Sequence, residues 1–145
     1  MEYLGSARVG EGRFVRLDRG DLLLESLVSL AKGQGVGTCV VLSGIGSLHK
    51  CRMNMVVSTG PQPELRHMEL RGALEMSTVQ GIIAGADAHL HVTLSDGEKT
   101  YAGHLEEGSE VLYVAEIVLL PLEGISLERQ MQAETKVRQL KARTC

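Results

Sequence analysis

The sequence predicts an α+β fold built on a mostly antiparallel sheet, with one early helix and one C-terminal helix, and three observations carry that prediction. Strand-like segments separated by glycine or Asp-Gly follow one another through residues 36–120. Helical periodicity is confined to 22–32 and 126–143. Strands and helices therefore do not alternate, which separates this chain from the doubly wound α/β sheets. A length of 145 residues suits a single domain over 1–145, large enough to bury a stabilising core without disulfides or a structural metal.

Taken in order, Tyr3 to Val9 and Gly12 to Asp18 alternate and are separated by Gly10 and Glu11, which predicts an opening pair of short strands. Asp21 is placed to cap a helix from Leu22 to Lys32, with Leu23, Leu27, Leu30 and Ala31 on one face and Gly33 and Gly35 ending it. Val36 to Leu42 reads as a buried strand, and Ser43, Gly44, Ile45 and Gly46 as a tight turn after it. Leu48 to Val57 alternates around His49, Cys51, Met53 and Met55, and Ser58 to Pro63 is a surface loop.

Glu64 to Leu70, Ala73 to Ala84, Ala88 to Ser95 and Thr100 to Leu105 each carry strand character. Val111 to Leu120 is apolar on both faces and is expected to be central. Ser126 is placed to cap a last helix through Arg143, with Leu127, Met131, Val137 and Leu140 as a narrow apolar stripe among Lys136, Arg138, Lys141 and Arg143.

Composition narrows the function. One Phe, three Tyr and no Trp leave few platforms for stacking bases, and a net charge of −3 repels phosphate backbones. A general nucleic-acid binder is disfavoured on both counts. Cys39, Cys51 and Cys145 are odd in number and lack CxxC spacing, so reduced thiols are expected. The amino terminus lacks a basic flank followed by an apolar core, and no apolar run approaches the ~20 residues of a membrane helix. An unprocessed cytoplasmic protein is the expectation.

The chemistry concentrates at AHLHVTLSDGEKTYAGHLEEG, residues 88–108. His89 and His91, two apart on a strand, share a face with α-carbons ~7 Å apart. A two-residue turn at Asp96-Gly97 sets His104 opposite His89, and a four-residue loop sets it opposite His91. Either keeps three imidazoles on one face, whereas an odd loop or a bulge turns His104 away. Three neutral imidazoles form a ligand set for Zn²⁺ or another borderline divalent ion, with a fourth position open to water, a carboxylate or a substrate. The alternative is a solvated strand face with a satisfied core histidine. Glu75, Glu106, Glu107 and Glu116 are the candidate fourth ligands or bases. Glu75 and Glu116 stand in apolar strand surroundings, where a carboxylate needs a partner. His49 and His67 are read as surface or core histidines. A cupin reading fails, because Glu98 lies in the turn and His104 follows too soon.

Four segments carry a resemblance: LDRGDLLLESLVSLAKGQGV, VVLSGIGSLHKCRM, LRGALEMSTVQGII and HLHVTLSDGEKTYAGHLEEGSEVLYVAEIVL. In this order they resemble the plants-and-prokaryotes-conserved (PPC) domain over nearly the whole chain. The resemblance implies an antiparallel α+β fold similar to acetolactate decarboxylase, a homotrimer, and a metal on histidines matching His89, His91 and His104. Plant members bind AT-rich DNA through a separate AT-hook, and no RGRP-type hook occurs here. The chain also departs from the family pattern at Ala102, where a second glycine is common, and at Asp87-Ala88. Neither departure removes a ligand.

Two functions follow. One is a metal-dependent enzyme or binder acting on a small molecule, with zinc activating water or polarising a carbonyl of a small oxo or hydroxy acid and Glu75 or Glu116 as base. The other is a trimeric interaction or DNA-associated module with a structural or vestigial metal.

Overall fold

A computed structural model describes residues 1–33 and 35–143. The elements are β1 (Arg8–Val9), β2 (Arg13–Asp18), α1 (Leu23–Gly33), β3 (Thr38–Val56), β4 (Leu65–Ala84), β5 (Asp87–Ser95), β6 (Thr100–Leu105), β7 (Glu110–Glu123), β8 (Leu127–Met131) and β9 (Arg138–Ala142). Strand order in the main sheet is β1-β7-β3-β4-β5-β6, with β2 also on β7. The far end of β6 returns to β3 through Met53↔Leu105 and Asn54↔His104. Strands β3, β4, β5 and β6 thus close a ring of antiparallel ladders. Its inner face is apolar: Met53, Met76, Val79, Leu90, Val92, Leu94 and Leu105 are all buried. Helix α1 adds Leu23, Leu27 and Ala31 to the same core.

Several local expectations change once the chain is folded. The two opening strands form, but both lie on β7 rather than on one another. Asp21 does not cap α1: its Oδ2 accepts the Asp18 N–H at 2.8 Å in the turn before the helix. The first helical bond instead runs from the Ser26 N–H to the Leu22 carbonyl. Within the first turn, Glu25 Oε1 accepts the Gly108 N–H at 2.7 Å and ties the helix to the β6–β7 connection.

The Gly44-Ile45-Gly46 segment is not a turn, because β3 continues straight through it. Glycine is needed there for space. A β-carbon on Gly44 would overlap Val79 and Ile117. At Gly46, where φ is +152°, one would overlap the Val114 carbonyl. Close approach of β4 and β7 from both sides explains a glycine pattern that locally reads as a bend. The segments 64–70 and 73–84 likewise merge into the single strand β4. Strand β7 is interior to the sheet, but only Val111, Ala115, Ile117 and Leu119 on one face are fully buried, and Val114 and Glu116 face outward.

The predicted C-terminal helix over 126–143 is absent among the described residues, and a hairpin of β8 and β9 takes its place. Tertiary anchors outweigh helical propensity here. The buried Thr38 Oγ1 accepts the Leu127 N–H at 3.1 Å, and Arg138 pairs with Asp87 at 2.6 Å. Of the expected helical stripe only Leu127 is buried, while Met131 and Val137 are exposed. Cys39 and Cys51 are buried and free, and Cys145 lies outside the described residues.

Replacing Thr38 by Val preserves shape but leaves a buried N–H without its acceptor, which costs about 1–3 kcal/mol. Urea denaturation of Thr38→Val is expected to show that loss, with enhanced proteolysis at the C-terminal hairpin. Unchanged stability would mean that the Thr38–Leu127 bond does not anchor the hairpin.

Candidate metal centre

The three histidines meet on the outer face of the ring. His91 stands directly opposite His104 on the β5–β6 ladder, and Ser95 stands opposite Thr100. The connection is therefore the four-residue loop Asp96–Lys99, not the two-residue Asp96-Gly97 turn. Asp96 explains the longer loop. Its Oδ1 accepts the N–H groups of Glu98 and Lys99 at 2.9 and 2.8 Å, and its Oδ2 accepts the Tyr101 hydroxyl at 2.8 Å. Those bonds, led by the one from Lys99, hold the Asp96 carboxyl below its usual range. Parity is kept by the change from two residues to four, so His104 stays on the face of His89 and His91.

One potential ligand atom from each ring lies within 4.8 Å of the others. His89 Nε2 and His91 Nε2 are 3.1 Å apart. Tetrahedral zinc with bonds of ~2.0–2.1 Å holds its nitrogens about 3.3 Å apart, so that pair already has a chelating spacing. His104 stands edge-on to both rings, with centroids 4.9 and 5.7 Å away. Burial is the main cause that depresses His89 to about 4, followed by the positive charge of Arg129. His104 is lowered as well, again chiefly by burial. Both rings are neutral at pH 7, the state in which imidazole offers a lone pair to a metal. The donor set thus fits a divalent ion in number, type and spacing.

None of the four candidate glutamates joins this group. Glu75 is exposed on β4 and Glu116 is exposed on β7 opposite Arg16. Glu106 Oε1 accepts from Asn54 Nδ2 at 2.8 Å and lies 2.9 Å from His67 Nδ1. Glu107 is exposed. His49 and His67 are both at the surface. The residues that do flank the cluster are Asp87, two positions before His89, and the hairpin arginines Arg129 and Arg138. Asp87 was legible in principle, because positions 87, 89 and 91 share one strand face. No local signal could place Arg129 beside the histidines, since that depends on where the hairpin docks.

In the metal-free protein, the folded state holds His89 near pH 4 while the unfolded chain titrates near 6.5. Between those values the unfolded state binds more protons, so stability is full above pH 6.5 and falls as pH drops toward 4. Urea midpoints of the apo protein are expected to follow that slope, and His89→Gln to flatten it. An equal slope in both proteins would show that His89 is not desolvated.

Among known proteins, the Plants and Prokaryotes Conserved (PCC) domain matches residues 5–123, so β8 and β9 lie beyond the matched stretch. The curated relatives include the bifunctional protein GlmU of Synechococcus sp. (strain JA-2-3B'a(2-13)), 32% identical over 122 residues, 83% of this chain. This chain spans less than a fifth of the length of the curated relatives it matches, 18% and 16%. A metal-containing protein from Archaeoglobus fulgidus superposes with a TM-score of 0.84 at 26% identity, covering 96% of this chain and 98% of that one. A plant- and prokaryote-conserved protein from Pyrococcus horikoshii gives 0.81 at 27% identity, covering 94% and 96%. A protein from Ralstonia eutropha JMP134, to which DNA binding is ascribed by name alone, gives 0.74 at 22%, covering 88% of each chain. That last likeness is one of fold. With a family match over most of its length and the fold shared with these relatives, the chain belongs to the Plants and Prokaryotes Conserved domain family.

Proposed function

We propose that this protein binds a divalent metal, zinc by preference, through His89, His91 and His104, and presents it to a small molecule. The observation that carries the reading is the convergence of three imidazole ligand atoms within 4.8 Å on one sheet face. The metal-containing relative from Archaeoglobus fulgidus agrees with it. No carboxylate joins the group among the described residues, which leaves a coordination position for water or ligand. Bound zinc supplies Lewis acidity, lowering the pKa of a bound water or polarising a carbonyl. The chain's own part is to hold three imidazole rings together by strand register and to keep Asp87 engaged with Arg138. Glu75 and Glu116, being exposed and outside the group, do not act as bases within one chain in this reading.

Elemental analysis of protein purified with zinc supplied is expected to give close to one metal per chain. Each of His89→Ala, His91→Ala and His104→Ala is expected to lower affinity at least tenfold. Wild-type protein without metal would sink the proposal.

A homotrimer belongs to the same reading. Phe14, Ile45 and Val114 are 86%, 52% and 37% exposed on the outer face of β2, β3 and β7. Half-buried Val118 and Leu120 extend that face, which the exposed Arg16 and Glu116 interrupt, and sheet faces that expose large apolar residues are commonly covered by another subunit. A second reading, an assembly acting on DNA, is favoured by the DNA-binding name of the Ralstonia eutropha relative and by the basic residues of the hairpin, Arg129, Arg138, Lys141 and Arg143, and is opposed by the net charge of −3. Light scattering is expected to give a trimer that Phe14→Glu dissociates. The same trimer is expected to show no duplex DNA binding at low salt, whereas binding with a steep salt dependence would favour the second reading.

A further inference from the structure

On the outer face of the ring, one row of cross-strand partners runs past the histidines. His67 on β4 stands opposite Asn54 on β3, Asn54 opposite His104 on β6, and His104 opposite His91 on β5. Partners in such a row share a face, with α-carbons about 4.5–5.5 Å apart. The residues that alternate with them, Met53, Leu105 and Val92, are buried on the inner face. Glu106 belongs to the outer surface too. It lies just past β6, where its N–H donates to the Arg52 carbonyl at 2.9 Å and keeps it in line with β3. In an antiparallel pair, the step from His104 forward to Glu106 matches the step from His91 back to His89. Positions 89, 91, 104 and 106 thus make a two-by-two array on one face, with Glu106 at the corner that carries no imidazole.

The carboxylate at that corner is held by one oxygen. Its Oε1 accepts from Asn54 Nδ2 at 2.8 Å and lies 2.9 Å from His67 Nδ1. Asn54 is buried, and the Glu106 side chain is only 23% exposed. Oε2 has no protein partner among the described residues. Arg52, across the ladder, is engaged elsewhere: its guanidinium lies 3.8 Å from Glu69 and donates to the Glu107 carbonyl at 3.3 Å. A carboxylate can accept on both oxygens, so a fixed side chain with unused acceptor capacity sits beside three metal-type ligands.

Resting on the metal reading above, we infer that Glu106 is the hydrogen-bond acceptor for whatever occupies the open coordination position. Asn54 and His67 position it for that role, and the centre takes small molecules that carry an O–H or N–H at their metal-binding group. An ionised carboxylate only accepts, and its bonds from such donors are about twice as strong as neutral ones. It repels an anion that brings no proton. Water, alcohols and hydroxamic acids meet the requirement, and azide does not. This role differs from that of a fourth ligand, because Glu106 stays outside the group of ligand atoms.

The test uses the full chain loaded with Co²⁺, whose visible spectrum reports ligands entering the metal. Acetohydroxamic acid is the donor-bearing probe and azide the anion without a donor. Glu106→Gln is expected to bind acetohydroxamic acid at least tenfold more weakly than wild type, with azide binding and metal content undiminished. Glu106→Asp, which keeps the charge but draws the oxygens back by one methylene, is expected to be at least threefold weaker. It decides alone if Glu106→Gln fails to fold. His67→Ala, at an exposed position, is expected to fall between wild type and Glu106→Gln, and His67→Gln, which keeps a donor, to restore binding. Hydroxamate binding undiminished in either folded Glu106 variant overturns the acceptor, and azide weakened as much as the hydroxamic acid overturns the ligand class. His67→Ala that binds like wild type overturns the positioning role of His67. Wild-type protein that takes up no cobalt at the histidines overturns the metal reading itself, an outcome distinct from the others.

Discussion

Strand β3 pairs with β4, β6 and β7 along its nineteen residues, and the ring it closes with β4, β5 and β6 places the rest. A closed antiparallel ring has an inner face that packs against itself and an outer face open to other uses. Side chains alternate between them with a period of two. One displaced residue anywhere between His91 and His104 would send one of the two into the apolar interior. The β5–β6 connection keeps that parity, and the Asp96 carboxylate stabilises the loop that does so by satisfying two of its N–H groups.

The same geometry explains why the histidines lie outside the core, with His89 and His91 exposed and His104 half-buried. Cross-strand partners share a face, so His89 stands beside Ile82 and His91 beside Gln80. Half-buried Ile82 leads on to half-buried Val40 through the β3–β4 ladder. Apolar neighbours on one side and the hairpin arginine on the other act on His89 and His104, which are partly desolvated. Desolvation and a nearby guanidinium both penalise imidazolium at His89 and His104, so those two rings are kept neutral by their surroundings. A histidine group of that kind could hold a metal ion.

How much of this was legible in the sequence follows from the range of each interaction. The strands from 87 to 105 and the grouping of His89, His91 and His104 rest on alternation and one short connection. Both the two-residue and four-residue alternatives for that connection led to the same face, so the error in turn type did no harm to the site. At Gly44 and Gly46 the local pattern misled, because glycine serves a bend and a close backbone approach equally well. Only the presence of Val79, Ile117 and Val114 distinguishes the two uses. Asp21 misled in a similar way, with its carboxylate closing the preceding turn instead of the helix.

The C-terminal segment marks the boundary most clearly. Residues 126–143 have helix-forming composition and a passable stripe, and nothing within eighteen consecutive residues says otherwise. Their conformation is decided by Thr38 and Asp87, which hold Leu127 and Arg138 across long stretches of chain. By itself the sequence determined the antiparallel sheet, the early helix and the grouping of three histidines on one face, because each is written in alternation or periodicity over a few residues. Tertiary structure alone decided the hairpin, the uninterrupted β3 and the meeting of Arg129 with the histidines, because those depend on contacts between distant segments that form only when the whole ring has closed.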